Sequence, residues 1–433
     1  MSENELFAAR VDDVLELRRK FFPDLFFQLD PSEPPLRIAL PESPIRKVRL
    51  ELTQPGLLHL GSIAFVGENL TSHEILAGAE LTLSSIYPDG EESVRAKRFF
   101  EAGYDGVGLH TNAEDAPWAQ VTLAKPYALK EMLLHNRRGK HAVRAWALRI
   151  LVQNEDYTWR AVYDHGARRA EFNRVLSTSL AAAPSARRTE LEVLDRYVLA
   201  ALGGEFEGMK KDLRAEPGAD KAAKAEMRRI INEKILLSRG VEWTTHGVTR
   251  SFRFWSNKEK VAYLREANAL VEVLRELSPD VCLGFGSVLS IVRDHDLIPH
   301  DDDLDIIVAM PQSQASKISM GLALVSQHLK ARGYKSTGKY KSHRHVSLGG
   351  SKVIDVFVGL YEEGDKISWF PGPRGNLVRD DVFPPISAKL LGVSCAIPRN
   401  PFVYLERIYG SGWAVPTPRW NHKWDRSAFA DLF

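Results

Sequence analysis

Four aspartates within five residues are the part of this sequence that most directly indicates chemistry. An apolar run that ends at Val308 follows them, and the four are Asp301, Asp302, Asp303 and Asp305. So many neighbouring carboxylates are unfavourable unless a cation neutralises them, and oxygen ligands are those that Mg²⁺ prefers. The run therefore predicts a divalent-ion site. A solvated acidic turn is the alternative, and the apolar flank argues against it.

The apolar run is typical of a β-strand, in which successive side chains point to opposite faces. Asp303 and Asp305 then share one face, and Asp301 joins them if the strand begins that early. Asp302 points the other way, as a surface acid or an outer partner of the site. The alternation thus selects which carboxylates act together.

A further aspartate, Asp355, lies in a second run of the buried-strand type, residues 351–358. An aspartate there is unfavourable unless it is paired or bound to a metal. We therefore expect Asp303, Asp305 and Asp355 to hold one or two ions, Mg²⁺ or Mn²⁺. Two such ions would clamp the attacking and leaving oxygens of a phosphoryl displacement.

Phosphate contacts are expected on both sides of the acidic run. Gly286 and Ser287 follow a short apolar strand, and backbone N–H groups in such a turn can cradle phosphate oxygens. Arg293 either pairs with an acid or holds a phosphate with two hydrogen bonds. Residues 339–345 predict a basic edge strand, in which Arg344 contacts phosphate; two histidines there, His343 and His345, are a weak indication of metal ligation.

This part of the chain, about residues 262–425, resembles the LicD family, which includes fukutin and fukutin-related protein. The family has a Gly-Ser/Thr turn, an Arg, an Ile-Pro-Trp-Asp-Asp-Asp-x-Asp-Ile run, an Ile-Asp-hydrophobic-Phe strand and a Tyr-Gly-x-x-Trp-x-x-Pro segment. The matching positions here are Gly286-Ser287, Arg293, Ile298–Ile306, Ile354–Phe357 and Tyr409–Pro416, with His300 in place of the Trp.

The resemblance implies a mixed-sheet nucleotidyltransferase fold and a transferase that moves a phospho-alcohol from a CDP-linked donor to a sugar, releasing CMP. Phosphocholine, ribitol phosphate and glycerol phosphate are cargoes of the family type. Its metal positions correspond to Asp303, Asp305 and Asp355, and His300 falls at a donor contact. A carboxylate near the metal, Asp301 or Asp355, would take the proton of the acceptor hydroxyl.

The N-terminal part has a different pattern, with short alternating strands predicted at 46–53, 79–85, 119–123 and 148–152. Such spacing favours an all-β sandwich. Residues 60–165 resemble the discoidin (coagulation factor 5/8 C-type) jelly roll through the segments 109–123, 134–137 and 157–163, and the resemblance implies glycan binding at loops. Trp118 and Trp159 are expected to fill the core, with sugar stacking as the alternative.

Together these patterns predict a multidomain chain. A helix and lead-in occupy residues 1–35, a jelly-roll β-sandwich 36–165, a charged helical connector 166–260 and an α/β nucleotidyltransferase-like domain 261–433. Near the end, Trp413, Trp420 and Trp424 either cover the site or pack in the core.

Composition limits the possible functions. The chain has 433 residues, a net charge of +2 and two cysteines, which argues against a nucleic-acid partner and a disulfide scaffold. Neither a secretory signal nor an apolar run of about 20 residues is visible, so we expect a cytoplasmic protein in which peripheral membrane association remains open.

Two other functions compete with phospho-alcohol transfer. One is a nucleotidyltransferase that uses a nucleoside triphosphate and releases pyrophosphate. The other is a glycan-binding protein without catalysis, against which the intact Asp303, Asp305 and Asp355 argue. The donor, the acceptor sugar and the oligomeric state do not follow from the sequence.

Overall fold

The chain forms two compact units in the computed structural model, Met1–Arg239 and Gly240–Phe433. The structure describes residues 3–29, 33–87, 92–181, 183, 185–209, 217, 220–244, 246–349, 352–417, 422 and 425–433. The division falls inside the predicted connector, residues 166–260, whose helices up to Arg239 belong to the first unit. Within these ranges, no helix has the length and apolar content that a bilayer crossing needs.

The first unit contains two antiparallel sheets, with strand orders β1-β7-β3-β5 and β4-β6-β2-β8-β9. Its strands are β1 Leu36–Ala39, β2 Ile45–Leu52, β3 His59–Gly67, β4 Glu80–Leu83, β5 Leu109–His110, β6 Trp118–Tyr127, β7 Leu129–Asn136, β8 Leu148–Asn154 and β9 Trp159–Asp164. The four strands predicted from alternation are thus confirmed with small shifts at their ends. The jelly-roll form stays a prediction.

The two tryptophans of the first unit differ from the expectation. Trp159, expected in the core, is 40% exposed at the start of β9. Trp118 is half-buried on β6, with the Arg49 guanidinium 4.4 Å from the centre of its ring. Both begin their strands, where the sheet no longer covers an aromatic side chain. The core assignment is therefore wrong for Trp159.

The helices of the first unit are α1 Glu3–Phe21, α2 Ser72–Leu76, α3 Glu92–Phe99, α4 His165–Ala181, α5 Arg188–Gly203, α6 Phe206–Met209 and α7 Lys221–Ile231. Helix α5 ends at Gly203, and the following Gly204 adopts a left-handed φ of 67°, as is common for a glycine after a helix. A buried ion pair joins α1 to α5, with Arg10 Nε 2.8 Å from the Asp195 carboxylate.

The second unit is built on a mixed sheet, in the order β12-β13-β16-β15-β14, with β17 beside the later half of β16. The strands are β10 Glu242–Thr244, β11 Gly247–Thr249, β12 Val281–Leu283, β13 Leu304–Met310, β14 Lys335–Thr337, β15 His343–Ser347, β16 Ile354–Glu362, β17 Lys366–Trp369, β18 Leu377–Val378, β19 Ile386–Leu390 and β20 Val393–Ile397. The β13–β16 pair is parallel, and its neighbours are antiparallel.

Hydrophobic clusters cover both faces of this sheet. Even-numbered residues of β13, such as Ile306 and Val308, pack with α8 and α10. Odd-numbered residues, such as Ile307, pack with α9 and α12. The unit's helices are α8 Asn257–Arg275, α9 Phe285–Leu289, α10 Ile318–Ala331, α11 Arg379–Val382 and α12 Pro401–Tyr409. Asp305 lies on the α9 side, where β13 begins.

Candidate active site

Three polar residues on neighbouring strands form a row across the sheet of the second unit. Asp305 on β13 is the parallel register partner of Asp355 on β16. His345 on β15 is the antiparallel partner of the same Asp355. Adjacent strands lie about 4.8 Å apart, so the row brings the three side chains together on one face.

Two hydroxyls fix the start of these strands. The Tyr263 hydroxyl accepts a hydrogen bond from the Leu304 N–H (3.1 Å) and donates to the Val353 carbonyl, which links the start of β13 to that of β16. The Ser287 hydroxyl accepts from the Asp305 N–H (2.8 Å). The row of acids is therefore held by side chains of α8 and α9 as well as by the sheet.

Asp301 reaches the site without being on the strand. Because β13 begins at Leu304, the condition under which Asp301 would join the strand face is not met, and Asp303 also precedes the strand. The Asp301 carbonyl instead accepts from the Phe252 N–H at 2.8 Å, which holds the preceding loop. A Cβ added to Gly286 would lie 3.2 Å from an Asp301 carboxylate oxygen and 3.6 Å from one of Asp305. Both carboxylates therefore face Gly286.

The acids have strongly perturbed proton affinities. Burial, reinforced by the charge of Asp303, raises the pKa values of Asp301 and Asp305 well above their ordinary range. The same two causes raise the pKa of Asp355 to about 8. The charge of Asp303 affects the pKa of each of the other three carboxyl groups, so the four titrate in one electrostatic environment. Such a concentration of buried negative charge matches a cation-binding role.

His246 is a member of the site that the sequence analysis missed. Its Nδ1 lies 2.9 Å from an Asp302 carboxylate oxygen and 3.8 Å from one of Asp303. The hydrogen bond to Asp302 raises the pKa of His246 to about 9, so the imidazole is a cation at neutral pH. A single histidine 56 positions before its partner carries no pattern that would have indicated this contact.

Potential metal ligands fall into two groups. Within the described part of the chain, His343, His345 and Asp355 bring their ligand atoms within 4.8 Å of one another, and so do His246, Asp302 and Asp303. The predicted set of three aspartates is thus divided: Asp303 and Asp355 belong to different groups, and Asp305 to neither.

Gly286 and Ser287 do not offer free N–H groups for phosphate. The Ser287 N–H donates to the Gly284 carbonyl at 3.0 Å, and a hydrogen bond from the Gly286 N–H partly offsets the raised pKa of Asp305. The predicted contact of these two residues with phosphate oxygens is therefore not formed by free N–H groups, which instead serve to position α9. These hydrogen bonds place α9 against the start of β13.

The two arginines that were predicted to contact phosphate have other partners in the structure. Arg293 donates to both carboxylate oxygens of Asp294, at 3.0 and 2.7 Å, and so follows the structural alternative. Arg344 alternates with His343 and His345 and leaves β15 on the opposite face, where it donates to the Tyr340 carbonyl at 2.7 Å. The structure does not bring either arginine to the acids.

The remaining predicted residues have mixed positions. His300 is exposed in the loop before the acids. Trp413 packs against the cluster of α9 and α12, and its carbonyl accepts from Arg293 at 3.3 Å, in keeping with the packing alternative. Trp420 and Trp424 lie outside the described residues.

The family comparison supports the resemblance of this segment. Residues 280–400 match the family model described as LicD/FKTN/FKRP, nucleotidyltransferase domain. The matched range includes β13 and β16 and all five aspartates of the site, which are Asp301, Asp302, Asp303, Asp305 and Asp355. It supports a transferase of the phosphotransferase or nucleotidyltransferase kind that modifies glycans. The discoidin resemblance of residues 60–165 is not confirmed.

Comparison with solved structures gives weaker likenesses. A crystal structure of ANT(2'')-Ia with adenylyl-2''-tobramycin has 11% identity and a TM-score of 0.25, covering 40% of this chain and 87% of that chain. The lincosamide antibiotic adenylyltransferase LnuA with lincomycin has 12% identity and a TM-score of 0.25, covering 39% and 94%. At this TM-score neither likeness supports a statement about this chain. No curated protein matches it.

Proposed function

We propose that this protein is a metal-dependent transferase that moves a phospho-alcohol from a CDP-linked donor to a sugar hydroxyl and releases CMP. The observation that carries the proposal is the register of Asp305 with Asp355 on parallel strands. The match of residues 280–400 to the LicD model supports the reaction class.

The carboxylates fit Mg²⁺ or Mn²⁺. Asp303, Asp305 and Asp355 would supply oxygen ligands, the kind that these ions prefer, and burial raises the pKa of each of the three carboxyl groups. When bound, the ion would supply charge stabilisation to the phosphoryl group in flight. Asp305 and Asp355 would hold that ion from neighbouring strands, with Asp303 just before the start of β13.

The acceptor hydroxyl must lose its proton as its oxygen attacks the distal phosphorus. The new P–O bond forms as the bond to the CMP oxygen breaks. We assign the proton to Asp301, because burial and the charge of Asp303 raise the pKa of this carboxyl and so favour its protonated form. The carboxylates of Asp301 and Asp305 both face Gly286, so Asp301 is close to the proposed metal ligand Asp305.

We assign the acceptor to a glycan, which the first unit would hold. Two aromatic side chains near the β8–β9 turn support this role, since Tyr157 is 64% and Trp159 40% exposed. Exposed aromatic faces stack on sugar rings. W159A is expected to weaken glycan binding in a glycan array, while F21A, at another exposed aromatic of this unit, keeps it.

A nucleotidyltransferase reaction is the second candidate, because the family description includes that domain name. The products separate the two reactions. With labelled CDP-choline, CDP-ribitol and CDP-glycerol, the proposal requires metal-dependent CMP release in the presence of the glycan. Pyrophosphate from CTP, with no turnover of any CDP-alcohol, would establish the alternative.

A further inference from the structure

A second set of potential metal ligands adjoins the carboxylates and contains nitrogen. The Nε2 atom of His343 lies 3.3 Å from one oxygen of Asp355, and the Nε2 atom of His345 lies 3.6 Å from the other. A tetrahedral ion with ligands at about 2.0–2.1 Å would hold its ligand atoms about 3.3 Å apart. The two nitrogen–oxygen separations in the protein are close to that value, and one ligand atom of each residue lies within 4.8 Å of the other two.

The strand pairing explains why these side chains meet. His343 and His345 alternate on β15 and so share a face. Their partners on the antiparallel β16 are Phe357 and Asp355, which share the corresponding face. The sheet itself therefore sets the spacing of the two imidazoles and the carboxylate.

A hydrogen bond at Nδ1, the ring nitrogen that does not face Asp355, also orients His343. Its Nδ1 lies 2.7 Å from the Ser342 hydroxyl, and both residues are buried. In the tautomer in which Nδ1 donates to this hydroxyl, Nε2 presents its lone pair toward Asp355. An outer hydrogen bond of this type orients metal-binding histidines in proteins. The Tyr340 ring stacks on His343 at 4.5 Å and limits its rotation further.

We propose that His343, His345 and Asp355 bind a divalent transition-metal ion, of the Mn²⁺, Co²⁺ or Zn²⁺ class, beside the all-oxygen site at Asp305. Two imidazoles and one carboxylate favour such ions over Mg²⁺, which prefers oxygen ligands alone. Asp355 is common to both sites. Its part in transfer rests on the proposed function, whereas the binding itself is measured without turnover.

The experiment uses untagged full-length protein stripped with EDTA. Co²⁺ titration should give visible d–d bands of a nitrogen-ligated ion, and equilibrium dialysis should give about one tightly bound Zn²⁺ or Co²⁺. H345Q, at a half-buried position, should weaken Co²⁺ and Zn²⁺ binding at least about tenfold and leave Mg²⁺ binding unchanged. H73Q, an exposed histidine of the first unit, is the control.

Wild-type affinity for Zn²⁺ and Co²⁺ in both H343Q and H345Q would overturn the proposal, as would Co²⁺ spectra of an all-oxygen environment in the wild type. Those spectra keep the test decisive if a variant fails to fold. Failure of CMP release with an intact nitrogen-ligated site would instead contradict the proposed reaction and leave this site standing.

Discussion

Asp305 and Asp355 are direct register partners on two parallel strands, so their carboxylates leave the sheet side by side on the face that α9 covers. Such a pair repels strongly when both groups are ionised, and burial strengthens the repulsion. Their position at the start of both strands makes them the centre of the proposed metal site.

Removal of one of these acids should abolish transfer. D305A is expected to lower turnover at least about a thousandfold, because electrostatic stabilisation of the phosphoryl group is worth several kcal/mol. The measurement is CMP release, with circular dichroism as the check of folding. E363A, at an exposed acid of the same unit, should keep full turnover. Turnover of D305A near that of the wild type would remove the basis of the metal assignment.

The small size of Gly286 should matter for metal binding more than for folding. In G286A the new methyl would crowd a carboxylate oxygen of Asp301, at 3.2 Å, and make an ordinary contact with one of Asp305, at 3.6 Å. Alanine in α9 gains up to about 1 kcal/mol of helix propensity, which offsets part of the crowding cost. We expect a melting temperature close to wild type in EDTA and a reduced Mn²⁺-induced increase.

The matched control for that variant is G208A, where the added methyl of α6 meets no atom within 4 Å. Its Mn²⁺-induced shift should equal that of the wild type. Equal shifts in G286A and G208A would show that Gly286 has no role at the site.

The stability of the metal-free protein should fall as pH rises. Burial raises the pKa of Asp355 to about 8, whereas an unfolded aspartate titrates near about 3.9. The protonated form therefore stabilises the fold fully below about pH 4, and this contribution is lost as pH rises through about 8. Between pH 7 and 8 the loss is on the order of 1 kcal/mol.

The measurement is urea unfolding in EDTA at pH 7, 8 and 9 for the wild type and D355N. Above pH 7 the histidines His59, His165 and His343, whose pKa values burial lowers to about 3, 4 and 3, contribute little. His246, with a pKa of about 9, titrates in this window in both proteins, so the difference between the two profiles is the quantity that reports Asp355. D355N should show a flatter profile. Identical profiles would contradict the raised pKa of Asp355.

The buried ion pair of the first unit should matter for stability. Arg10 and Asp195 are 8% and 7% exposed, so D195A leaves a buried guanidinium without its carboxylate. The expected loss in the free energy of unfolding is about 3–5 kcal/mol. D12A breaks the more exposed pair with Lys234 and should cost less than about 1 kcal/mol. Equal losses in urea unfolding would refute this assignment.

Much of the site follows from alternation along strands. The pattern of Asp303, Leu304 and Asp305 and the lone acid of the 351–358 run predicted that Asp303, Asp305 and Asp355 act together. The structure places Asp305 and Asp355 in register, whereas Asp303 precedes its strand. The short apolar strand predicted before Gly286 is also present, as Val281–Leu283. Alternation in the sequence predicts which side chains share a face where one face of a strand is buried.

Contacts that depend on the tertiary arrangement of the chain were not predictable from the sequence. His246 meets Asp302 through a turn, and Arg293 pairs with its neighbour Asp294 in place of a phosphate. Arg344 points away because its face depends on which residues of β15 oppose Asp355. Trp159 is exposed because it begins its strand. Each outcome depends on tertiary position, which residue type alone does not encode.

Calorimetric titration of Mn²⁺ in the presence of CDP tests the central claim most directly. It asks whether Asp305 and Asp355 together bind an ion that also contacts a nucleoside diphosphate. We predict saturable binding in the wild type, strengthened by CDP, and loss of the CDP-dependent part in D305N and D355N. Undiminished binding in both variants, or no effect of CDP on the wild type, would contradict it.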